Sequence, residues 1–71
     1  MKTWTCTPFT ANNLVEMVGG FVAILVGSGS NKRYEPVAIT GEVGDWTITY
    51  LTGDGRSHKI GWNWTLYVVY E

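Results

Sequence analysis

Residues 46–55 read Trp46-Thr47-Ile48-Thr49-Tyr50-Leu51-Thr52-Gly53-Asp54-Gly55, and no other part of the 71-residue chain has so clear a period. Trp46, Ile48 and Tyr50 alternate with Thr47 and Thr49, the two-residue repeat of a strand with one wet and one dry face. Gly53-Asp54-Gly55 then predicts a hairpin, because these residues tolerate positive φ. The next strand, Ser57 to Trp62, returns antiparallel. On the other side, Gly44-Asp45 predicts a tight turn back to a strand over Tyr34 to Val43. Val37, Ile39 and Val43 are expected inward on it, Thr40 and Glu42 outward. Pro36 lacks an amide donor, so the start of that strand is expected at an edge or a bulge.

Further out the same rhythm continues. Gly20 to Val26 is a fully apolar strand, followed by the loop tip Gly27-Ser28-Gly29-Ser30-Asn31. After a corner at Asn63 to Thr65, Leu66 to Glu71 forms the last strand, with Leu66, Val68 and Tyr70 on one face. Met1 to Thr7 alternates too, Trp4 and Cys6 sharing a face, until Pro8 ends it. Thr10 to Val18 is the one stretch with helical spacing: Thr10 as N-cap, Phe9 stapled onto Leu14, Leu14, Val15 and Val18 on one face, and Gly19 as the left-handed stop. Two turns are too short to hold alone, so this helix has to lie on the sheet.

Composition agrees and excludes several classes. Hydrophobic residues make up 45% and charged residues only 15%, against about 25% in ordinary domains. A chain of this size buries only about 60% of the surface its unfolded form exposes, so dense apolar packing or self-association has to supply stability. A single cysteine rules out an intramolecular disulfide. One cysteine and one histidine cannot close a structural zinc site. The net charge of −1 argues against a broad DNA-coating face. The longest apolar run, Phe21 to Val26, falls far short of the roughly 20 residues that span a bilayer. No membrane association is expected, and with a lone cysteine and no leader pattern the expected compartment is cytoplasmic.

The chemistry-bearing residues are few. Asp54, Ser57 and His58 are the residue types of a hydrolytic triad, but neighbours on one hairpin cannot converge on an oxyanion site, and Ser57 and His58 should face opposite ways. Glu42 and Asp45 flank a turn and supply too few oxygens for calcium. No catalysis, metal or cofactor is expected. Lys32 and Arg33 follow the glycine-serine loop, whose spacing is not that of a phosphate loop. They are candidates for an anion contact. Trp62 and Trp64 flank Asn63 at the corner, where two roles are open: packing in the core or a subunit interface, or stacking on bases and anchoring a partner. Trp46 shares a face with Ile48 and Tyr50 and is expected in the core.

A helix followed by five antiparallel strands resembles the Sm-like proteins, small SH3-like barrels that assemble into rings. The similarity runs from Leu14 to Glu71. Val18-Gly19-Gly20-Phe21-Val22-Ala23-Ile24-Leu25 resembles the family's helix end and first strand. Tyr34 to Gly41 is similar to its second strand. Ile60-Gly61-Trp62-Asn63-Trp64-Thr65-Leu66-Tyr67-Val68 is similar to its second motif. Pro36 stands near the family's strand glycine. Glu42-Val43-Gly44-Asp45-Trp46 replaces its RNA-contacting loop, and no arginine follows Ile60. Asn63 is the one position to which a family base contact carries over. The resemblance implies a mainly β fold: a single five-stranded SH3-like antiparallel barrel over residues 1–71, with a short N-terminal helix and an extra N-terminal strand. It also implies a non-catalytic module that binds single-stranded RNA as a homo-oligomer; Asn63 is the contact it carries over, and the cation pair Lys32 and Arg33 and the corner rings Trp62 and Trp64 are the other candidate ligand contacts. Leu66, Tyr67, Val68, Val69 and Tyr70 read as an unguarded apolar edge, and so as the expected subunit interface. The alternative reading is a protein-binding modulator or inhibitor of a host enzyme, of the kind encoded by phages or mobile elements.

Overall fold

The alternating segment folds as the sequence predicts. In the computed structural model, which describes residues 1–71, it forms β4 (Asp45–Tyr50), and the glycine-rich turn returns it to β5 (Ser57–Ile60). The other elements are β1 (Lys2–Cys6), α1 (Ala11–Val18), β2 (Phe21–Val26), β3 (Arg33–Glu42) and β6 (Leu66–Tyr70). A single 3-10 turn, Gly29–Asn31, sits at the tip between β2 and β3. The six strands make one open antiparallel sheet in the order β1-β6-β2-β3-β4-β5.

The ten-residue β3 bends this sheet. Its first half pairs with β2, up to Ala23 opposite Pro36. Its second half pairs with β4, starting with Val37 opposite Tyr50. Pro36 therefore lies inside the sheet, at the point where the strand exchanges one neighbour for the other, and not at an edge. Its missing donor costs little where one ladder has ended, and its carbonyl accepts the Leu51 amide at 3.1 Å.

The bend brings all the elements onto one core. Cys6, Ala11, Val22, Ile24, Val37, Ile48, Ile60, Leu66 and Val68 form one buried cluster, with Leu14, Val15 and Val18 of the helix packed against it. Burying each large aliphatic side chain is worth about 1.5–3 kcal/mol. α1 rests on β6 and β2, which is how so short a helix persists. Gly19 ends it in the left-handed region, at φ 72. Gly20 follows with no room for a side chain, since a Cβ there would overlap the Val69 carbonyl.

Several expectations are corrected. The Thr10 side chain does not cap the helix; its hydroxyl donates to the Thr7 carbonyl and accepts from the Thr7 amide, both at 3.4 Å. Phe9 is exposed, while Leu14 packs on the core. Val43, expected inward, sits in the turn and is 58% exposed. β5 ends at Ile60, two residues before Trp62.

The largest correction concerns the last strand. Leu66, Tyr67, Val68, Val69 and Tyr70 do not form an edge. β6 is an interior strand, flanked by β1 along Leu66–Tyr70 and by β2 along Tyr67–Val69. Leu66 and Val68 are buried on the core face and Val69 on the opposite face. With a neighbour on either side, this strand has no free ladder to offer a second subunit. The two edges of the sheet are β1 and β5.

Candidate functional site

At the C-terminal end of β2, opposite the end where α1 enters, the curled sheet opens into a recess of about 260 Å³. Arg33, Glu35, Tyr50, Thr52, Asp54 and Arg56 line it, with Val26 at its base. The register explains the convergence. Arg33 and Glu35 share the core-facing side of β3 with Val37, and Tyr50 lies opposite Val37 on β4. At the rim, this same side of the sheet carries polar and aromatic groups in place of aliphatic ones.

From the recess a row of rings crosses onto β5 and the corner. The Arg56 guanidinium lies 5.5 Å from the centre of the Tyr50 ring. Tyr50 and His58 rings are 5.9 Å apart, with Tyr50 Oη 3.5 Å from His58 Nε2. His58 and Trp64 rings follow at 5.7 Å. The row is thus Arg56, Tyr50, His58, Trp64, running along one side of the β4–β5 hairpin into the loop before β6.

Charge along this surface is balanced. Arg33 Nε pairs with Glu35 at 3.4 Å and Arg56 Nε with Asp54 at 3.5 Å. Thr52 donates its hydroxyl to the second Glu35 oxygen. The Arg56–Asp54 pair is exposed on both sides and worth about 0–1 kcal/mol, so an incoming anion can compete for Arg56 at small cost, whereas Glu35 is mostly buried and also held by Thr52.

The expected contact residues are only partly brought together. Arg33 lines the recess, whereas Lys32 precedes β3 and lies outside it. Gly61 to Trp64 form a turn closed by the Trp64 amide on the Gly61 carbonyl at 3.3 Å. Trp62 and Asn63 are its two central residues and are exposed, Trp62 at 60%. Trp64, 40% exposed, joins the row through His58. Of the two open roles for these tryptophans, neither ring is in the buried core.

Tyr50, Arg56 and His58 were not expected at the site. Tyr50 shares a face with Ile48, as read, and packs against the core, but at the strand's end it also lines the recess. The available signal was the Arg56-Ser57-His58 spacing, which sets two polar side chains on one side of the strand that follows the turn. Asp54, Ser57 and His58 turn to different partners: Asp54 accepts the Arg56 amide at 3.2 Å, Ser57 accepts the Thr49 hydroxyl at 3.3 Å, and His58 meets Tyr50. No group of three or more His, Cys, Asp or Glu side chains is placed to hold a metal ion. No helix is long and apolar enough to cross a membrane.

Comparison with known proteins leaves the geometry to stand alone: no family model, curated protein or solved structure matches this chain.

Proposed function

We propose that the chain is a non-catalytic binding module for single-stranded RNA, in keeping with its resemblance to Sm-like SH3-type barrels. The observation that carries this reading is the surface row Arg56, Tyr50, His58, Trp64, in which Tyr50 is half-buried and the others are exposed. Consecutive rings offer π-faces to successive bases, and each base stacked on an aromatic side chain is worth about 1–3 kcal/mol. Arg33 and Arg56 lie within the same recess and supply the phosphate contacts. Asn63, at the tip of the adjoining turn, is free to offer its amide to a base edge. The order of α1 followed by β2 to β6 also supports the resemblance, as does the strand exchange along β3.

Fluorescence anisotropy with a mixed-sequence single-stranded RNA of about ten nucleotides, a length within the usual footprint of such grooves, tests this. Tyr50→Ala and Trp64→Ala are each expected to weaken binding by about tenfold or more, with unchanged far-ultraviolet circular dichroism. Failure of the native chain to bind, or affinity unchanged from the native chain in both variants, would overturn the reading.

A second reading has its own support. The site mixes Trp, Tyr and Arg, the residues that dominate protein–protein hot spots, and each arginine in it already has a carboxylate. A neutral, aromatic surface suits a modulator of another protein, such as a host enzyme met by a phage or mobile-element product. Recovery of a bound protein that survives nuclease treatment, and that is lost with Trp64→Ala, would favour it over RNA.

A further inference from the structure

We propose that two copies of the chain associate through β1, antiparallel about Trp4, to give one continuous twelve-stranded sheet with a twofold axis. The inference is independent of what the aromatic row binds.

β1 has one neighbour, β6, along its full length from Lys2–Tyr70 to Cys6–Leu66. The backbone groups on its other side have no partner strand. Its five pairs run without interruption, so no bulge twists it away. It contains no proline, and its only charge, Lys2, is at its end. Protected edges usually carry at least one of those features. The opposite edge does: β5 has only four residues, with Lys59 in its interior paired to Asp45.

The sequence of β1 is self-complementary in the sense a twofold axis requires. Lys-Thr-Trp-Thr-Cys, inverted on itself at Trp4, sets each Thr3 opposite the second copy's Thr5 and each Trp4 opposite its own equivalent. Threonine–threonine and aromatic–aromatic pairs across antiparallel strands are each favourable, and no like charges meet. Any other twofold centre shortens the pairing, or carries it past Cys6 toward Pro8. Trp4 is in place for the contact: its ring packs edge-on against Tyr70 at 5.9 Å, yet 39% of the residue remains exposed at the rim. Five residues a side form a small interface of the transient class, so association is expected to depend on concentration in the micromolar range.

Light scattering across a concentration series tests the proposal, the mass of the native chain rising toward twice that of the monomer. Thr3→Lys/Thr5→Lys and Thr3→Glu/Thr5→Glu double variants each place like charges opposite one another and are expected to stay monomeric. Mixed in equal amounts they are expected to recover the dimer, which also shows that each variant has kept its fold. A native chain monomeric at millimolar concentration, assemblies larger than two, or double variants that dimerise alone as well as the native chain would each overturn it.

Discussion

Cys6 carries a thiol whose ionisation the fold alters. It faces the core opposite Leu66, and burial pushes its thiol above the ordinary 9.0. Folding therefore favours the neutral thiol. The stabilisation this gives is complete below pH 9, and it declines as the pH rises through the usual thiol range toward the folded value, because the unfolded chain ionises first. Urea midpoints measured from pH 7 to 10.5 should fall more steeply for the native chain than for Cys6→Ala, and alkylation of the folded protein at neutral pH should be slow. A lone cysteine beside Trp4 on an alternating strand reads as buried from sequence alone. Tyr50 does not read so clearly. Alternation assigns a side chain to a face and says nothing of its depth along the strand. Ile48 and Tyr50 therefore look equivalent, although one is sealed in the core and the other opens onto the recess. Trp62 and Trp64 were ambiguous for a related reason: their spacing means little once Gly61 to Trp64 turn.

Among the elements, the junction of α1 and β2 is the most sensitive to a single atom. Gly19 has space around it and needs only its positive φ, whereas Gly20 lies against the Val69 backbone. Gly19→Ala is expected to cost about 1 kcal/mol, the strain of a left-handed alanine. Gly20→Ala should cost about 2 kcal/mol or more, because backbone has to shift to admit the methyl group. Urea denaturation of the two variants checks the order. The sequence marks Gly19 as the helix stop and Gly20 as the start of the strand, but only the approach of β6 makes Gly20 the tighter of the two. β6 itself was legible as a strand and misplaced as an edge. Its near-continuous apolar run, buried on both faces through Leu66, Val68 and Val69, is the pattern of an interior strand. Which strands flank it depends on pairings far apart in the chain, and those no local pattern records. The same holds for Pro36, where a missing donor signals an interruption of the ladder without revealing that the strand changes neighbours there.

At the scale of the whole molecule, the small net charge sets how RNA would be held. With two arginines in the recess and a net charge of −1, about two phosphates are neutralised. The logarithm of affinity should then fall with that of salt concentration with a slope near −1.4, from about −0.7 per single-strand phosphate. A measured slope of −4 or steeper would place the contact on a larger basic surface than this one. The alternation of apolar and hydroxyl side chains disclosed a mainly β chain. The recess was not visible in it, because Arg33 and Arg56 meet only through the bend in β3.

The position of β6 has a consequence for how the molecule comes into being. β1 and β2, made early, have no ladder between them until Leu66–Tyr70 is inserted. A chain emerging from the ribosome can therefore pair β2 to β5 in chain order, but it cannot seat β1 before β6. Two of the five ladders await that strand, and closing them is a late event governed by contacts between distant residues, the regime in which β proteins are slow. Until then the side of β2 that β6 covers, along Phe21 to Ala23, stays open to whatever the nascent chain meets, which gives a chaperone or a premature partner its moment.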